Sequence, residues 1–175
     1  MTYDPNDPQY QAYSDTKSAP RHPAARVLTV MAYAFVAAIV VLGVVVAMMT
    51  AGSPTETTPM MLGVLIGLIC AGLIQFLGYR VPALPAGAAP DPATVLEPYR
   101  ASMMLRLALA ETPALVSFAA TIAFVGNVVS YLPGASISLA LMIVHVVPNR
   151  GLVTRIERRL DASGGRSRLS VLFGY

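Results

Sequence analysis

Apolar residues in this chain fall in long unbroken runs, with polar residues gathered between them. Four runs, approximately 27–51, 60–79, 103–125 and 132–147, are long enough to cross a bilayer. About 20 helical residues span a hydrocarbon core of roughly 30 Å. Lipid offers no hydrogen-bond partner to a backbone, so each run is expected to be helical. The fourth run is short, but 126–131 ahead of it is nearly as apolar, which predicts a tight hairpin between the third and fourth. The pattern predicts an all-α membrane protein with four transmembrane helices arranged as two hairpins.

The polar stretches set the rest of the organisation. Residues 1–26, "MTYDPNDPQYQAYSDTKSAPRHPAAR", are too polar and proline-rich to bury a core of their own and read as a tail. Residues 80–100 hold five prolines and read as an extended strap. In 148–175, Leu152, Ile156 and Leu160 recur every fourth residue among Arg155, Arg158 and Arg159. That spacing predicts a short basic amphipathic helix on the membrane surface, attracted by anionic lipids. The chain closes on "LSVLFGY", an apolar tip expected to be covered by the bilayer or by a partner.

Charge then suggests an orientation. All twelve Lys and Arg lie in the N-terminal tail, in 80–106 or in the C-terminal tail, and the other two connections carry none. The positive-inside rule therefore predicts cytoplasmic N and C termini and a cytoplasmic strap. A signal peptide is the competing reading of 27–51, but that apolar run is longer than such a segment needs and no A-x-A site follows it.

Composition agrees, with 55% hydrophobic residues, 12% charged and a mean hydropathy of +0.63. Soluble domains have roughly 25% charged residues. With one cysteine, Cys70, no internal disulfide or paired-cysteine metal site can form. Eleven of the twelve basic residues are Arg, a usage associated with high-GC bacteria such as actinobacteria.

Candidate chemistry centres on "LRLALAETPALVSF", 105–118, where Glu111 interrupts an apolar run. An ionisable group in a membrane helix is costly and marks a functional hypothesis. Glu111 lies five residues from Arg106, Gln75 five from Arg80 and His145 five from Arg150, which places all three at a similar depth. They are expected to form one buried polar cluster, with Pro113 freeing the carbonyl of Leu109 and kinking the helix. The cluster reads either as interhelical glue or as a proton- or ion-handling site. Gly63, Gly67 and Ala71 form a small-residue stripe that lets membrane helices approach closely. No catalytic set, phosphate loop or metal motif is legible, so no enzymatic activity and no cofactor are expected. His145 alone among the spans cannot make a bis-histidine haem site, and juxtamembrane arginines explain the net +3 without nucleic acid.

Two resemblances add to this. "LALAETPALVSF" resembles the ion-carrying helix of rotary ATPase c subunits, which implies an ion-binding role for Glu111; the long proline-rich connection and two extra helices depart from that family. In tail, helix count and arginine usage the whole chain resembles the small four-helix accessory proteins of the actinobacterial supercomplex of cytochrome bc and cytochrome oxidase. That resemblance implies a non-catalytic accessory or assembly subunit in the bacterial plasma membrane. Its partners would be other integral membrane subunits, with Gly63, Gly67 and Ala71 as a docking face or an internal face.

Overall fold

The computed structural model describes residues 21–86 and 91–175. Their regular structure is helical, with no strand: α1 (Pro23–Met49), α2 (Thr57–Phe76), α3 (Pro92–Ala123), α4 (Val128–His145), α5 (Arg150–Leu160), a 3-10 turn (Asp161–Ser163) and α6 (Leu169–Leu172). The first four are long and apolar enough to cross a membrane.

All four helices begin earlier than the apolar runs predict, two of them at a proline. α1 opens at Pro23 rather than near 27, and α3 at Pro92 rather than near 103. Proline suits the first helical position because its fixed φ fits and its missing N–H had no partner there. Before Pro92, Asp91 Oδ1 accepts the Thr94 backbone N–H at 3.1 Å and bonds the Thr94 hydroxyl as well. This is an N-cap, so 92–100 of the expected strap is the first part of a helix. Residues 1–20 of the expected tail and 87–90 of the strap lie outside the described residues.

The chain divides into two compact units. The first comprises Thr29–Arg80 and Arg100–Val147. Here Gly63 and Gly67 are buried inside the protein, which makes their stripe an internal face. A Cβ on Gly63 would strike Ser117 Oγ and approach Gly134 Cα at 2.9 Å, and one on Gly67 would meet Ile137 Cγ2 at 2.6 Å. The stripe then turns: Cys70 and Ile74 are buried, whereas Ala71 is half-buried and Gln75 exposed. Residues four apart advance 400° around a 3.6-residue turn, so a stripe of fourth residues rotates off the contact face within a few steps.

α3 runs through Pro113 without a break. The Ala114 N–H beyond it donates to Ser138 Oγ of α4 at 2.8 Å, in a buried site. A hydroxyl of the neighbouring helix thus serves the backbone beside the proline, as is usual in membrane bundles. At the other end of these helices Asn127 caps α4, accepting from Val129 and Ser130 N–H, while its Nδ2 donates to Thr55 Oγ1 at 2.8 Å. The Glu56 N–H donates to Ser130 Oγ at 2.8 Å, so the connections before α2 and α4 are pinned to one another.

The described parts of the second unit are 21–28, 81–86, 91–99 and 148–175. Leu152, Val153, Ile156 and Leu160 of α5 are buried within the protein. The Leu84 N–H donates to the carbonyl of Leu160 at 2.7 Å and the His22 N–H to that of Leu172 at 3.0 Å. Phe173 is buried with its ring 4.9 Å from that of Tyr99, and Tyr175 Oη donates to the carbonyl of Pro148 at 2.9 Å. Two expectations are thereby corrected. The apolar stripe of α5 and the apolar tip are covered by the chain's own segments, because residues 81–86 and 91–99 supply the apolar partner surface that a strap was not expected to offer.

Candidate functional site

The buried polar site of the first unit forms where α2 and α4 end against α3. The last four carbonyls of a helix lack intrahelical partners. α3 supplies partners one turn apart. Ser102 Oγ donates to the carbonyl of Gly78, just past α2, at 2.6 Å. Arg106 Nη1 donates to the carbonyl of His145, the last residue of α4, at 2.6 Å, and Arg106 Nε donates to the carbonyl of Ser102 at 3.2 Å. A cation at a helix C-terminus also meets the favourable end of the helix dipole.

Arg106 is fully buried, and its guanidinium carbon lies 5.1 Å from the centroid of the Tyr79 ring. Such a stacking contact is stronger away from water. Tyr79 Oη and His145 Nδ1 are hydrogen-bonded at 2.6 Å, with the rings edge to face. Gly78 makes room for the arginine stem: a Cβ there would lie 2.5 Å from Arg106 Cγ and 2.7 Å from the Ile74 carbonyl oxygen. Arg106, Tyr79 and His145 thus form one unit of bonds and ring contacts that ties three helices together.

The residues expected to cluster are distributed differently. His145 is half-buried and belongs to this site. Glu111 is half-buried, and its carboxylate makes no hydrogen bond or ion pair with a described residue. Gln75 lies on the exposed side of α2. Beside Glu111, the Thr112 hydroxyl donates back to the Ala108 carbonyl at 2.8 Å. Tyr79 and Arg106 are not expected here from spacing alone, in which Arg106 serves only to set the depth of Glu111. Its position was legible all the same: Tyr99, Met103, Arg106, Ala110, Ala114, Ser117 and Thr121 follow a three-four spacing and all are buried. Glu111 stands one residue off that stripe.

In the second unit Arg155, Arg158 and Arg159 are exposed on α5 and, with Arg150, Gly151 and Thr154, line an open groove. Among the described residues no group of three or more His, Cys, Asp or Glu is placed to hold a metal ion.

Fold and site together define a helical protein with four potential membrane spans and a buried arginine clamp. No known family model, curated protein or solved structure matches the chain.

Proposed function

We propose that this protein is a non-catalytic accessory or assembly subunit of a larger complex in the bacterial inner membrane, with a respiratory supercomplex of cytochrome bc and cytochrome oxidase as the first candidate. Helix α1 is the observation that carries this reading. Its buried residues are few, Ala25, Leu28, Ala32, Ile39 and Val46, most of them seven apart. Val27, Val30, Val40, Val41, Val44 and Met48 leave the rest of the helix apolar and exposed. A helix held by so thin a seam offers most of its girth to another membrane protein or to lipid.

In this reading the four helices cross as two hairpins with both termini cytoplasmic. The start of α1, the end of α2, the start of α3 and the end of α4 then share one side. In this reading the positive-inside rule assigns the arginines from Arg21 to Arg168 to the cytoplasmic side.

A second reading keeps Glu111 as the carboxylate of a small proton- or ion-conducting oligomer, favoured by its half-buried position without a described hydrogen-bond partner. Mild-detergent purification of the tagged protein from native membranes separates the two. Haem absorption with stoichiometric oxidase or cytochrome bc subunits is the result expected of an accessory subunit. A colourless homo-oligomer would refute that and direct attention to Glu111.

A further inference from the structure

Helix α3 carries a second stripe besides the buried one. Successive helical residues advance 100°, so Leu105, Ala108, Thr112, Leu115, Ala119 and Ile122 fall within an arc of about 100°, opposite Met103, Ala110, Ala114 and Ser117 of the buried stripe. Their alternating three-four spacing is the seam by which one helix packs along another. The described residues leave that seam open: Leu105, Leu115 and Ile122 are 42%, 48% and 39% exposed, and Ala108 and Ala119 are exposed too. Ala108 and Thr112, four residues apart, are small enough for a second backbone to approach closely, and the Thr112 hydroxyl already donates to the Ala108 carbonyl at 2.8 Å.

Lipid would cover an apolar seam as well as protein does, and Glu111 decides between them. It stands at the edge of the arc, half-buried, with about 18 Å of helix between it and the end of α3 at Ala123, and so lies well inside the potential span. Its carboxylate makes no hydrogen bond or ion pair with a described residue. Ionisable groups at such depth are paired or face a wet cavity rather than hydrocarbon. In helices packed with this spacing, the position flanking the seam is where charges pair across the interface and select the partner. We infer that this face of α3 is the docking site for a transmembrane helix of another subunit, one that sets a Lys or Arg side chain against Glu111. The inference rests on the accessory-subunit reading and names the chemistry of its partner. A second copy of this chain fits worse, since in one membrane its α3 would bring a second carboxylate to the same depth.

The test puts the photoreactive residue benzoylphenylalanine in place of Leu115 or Ile122 of the full chain in native membranes, with Val41 on the exposed side of α1 as a control position. Mass spectrometry then identifies the cross-linked peptides. Both α3 probes should join one other membrane chain, in a peptide with Lys or Arg within one helical turn of the adduct. Glu111→Gln should leave the thermal midpoint of the purified protein unaltered and cut the adduct at least about tenfold. Exchanging the charges, with Glu111→Lys and the partner's basic residue changed to Glu, should restore it. A captured helix without a basic residue, adducts only to lipid or to a second copy, an adduct indifferent to Glu111→Gln, or an exchange that restores nothing would overturn the inference. The control separates it from the reading beneath it. Membrane subunits captured from position 41 but not from 115 or 122 overturn the docking face alone, whereas lipid from all three positions overturns the accessory role as well.

Discussion

Replacing Gly63 by Ala tests the packing of the first unit most directly. The added methyl would strike Ser117 Oγ and lie 2.9 Å from Gly134 Cα and 3.1 Å from Gly134 N. Ser117 can rotate, but the backbone of Gly134 can retreat only if α4 moves. Overpacking of this kind costs about 1–3 kcal/mol. Removing a mid-helix glycine returns up to about 1 kcal/mol of helix propensity. The net expectation is a loss of about 1–2 kcal/mol. Gly67→Ala should cost less, because its nearest neighbours are side-chain atoms of Ile137. Gly72→Ala should be neutral or stabilising, since a Cβ there meets nothing within 4 Å. SDS titration of the purified protein, followed by circular dichroism, ranks the three. Adding Ser117→Ala to Gly63→Ala should restore part of the loss, a positive coupling that double-mutant cycles read directly. If Gly63→Ala and Gly72→Ala unfold alike, the stripe is not an internal contact and the packing described here is wrong.

Tyr79→Phe removes the hydroxyl bonded to His145 Nδ1 and should cost about 1 kcal/mol in the same titration, the scale of interhelical hydrogen bonds in membranes; an unaltered midpoint would show the bond to be idle. Arg106→Met should cost more, about 2–3 kcal/mol, because it leaves the His145 carbonyl without that donor, and a neutral result would refute the clamp. Phe173→Ala should cost about 3 kcal/mol and expose 150–175 to limited proteolysis, whereas a tail held by lipid alone would be cut equally in both proteins. Bonds from the Thr94 side chain and then its backbone hold the Asp91 carboxyl below the usual carboxylate range. Its stabilisation is therefore present above the usual range and is lost as pH falls through the depressed value, so the difference in thermal midpoint between wild type and Asp91→Asn should vanish at low pH; a difference that persists there would contradict the cap.

How much of this was legible in the sequence depends on which force decides each feature. Four helices followed from apolar run length, since a membrane admits little else. The start of α3 did not, because five prolines in 80–100 drew attention away from Asp91 and Thr94, whose cap begins a helix inside the apparent strap. Gly63 and Gly67 were found by spacing, but an every-fourth pattern followed as far as Gln75 ignores the 40° gained per step. His145 was found and its partner was not. Depth counted along single helices cannot reveal which faces meet, and that decides that Arg106 and Tyr79, rather than Glu111, lie against His145. The covered C-terminal segment was not legible at all, since its cover comes from chain more than fifty residues away in sequence.

The arginine clamp also constrains how the chain is made. Arg106 and the carbonyl it caps are 39 residues apart in sequence. At roughly 5–20 residues per second, synthesis leaves an interval of about 2–8 s in which Arg106 has been made and the end of α4 has not. An arginine adds to the insertion cost of a membrane helix, less near its end than at its centre, and α3 is the least apolar of the four. During that interval Arg106 has no α4 carbonyl to cap. A ribosome that stalls between the two helices would release a fragment bearing an exposed membrane arginine, a ready substrate for membrane quality-control proteases.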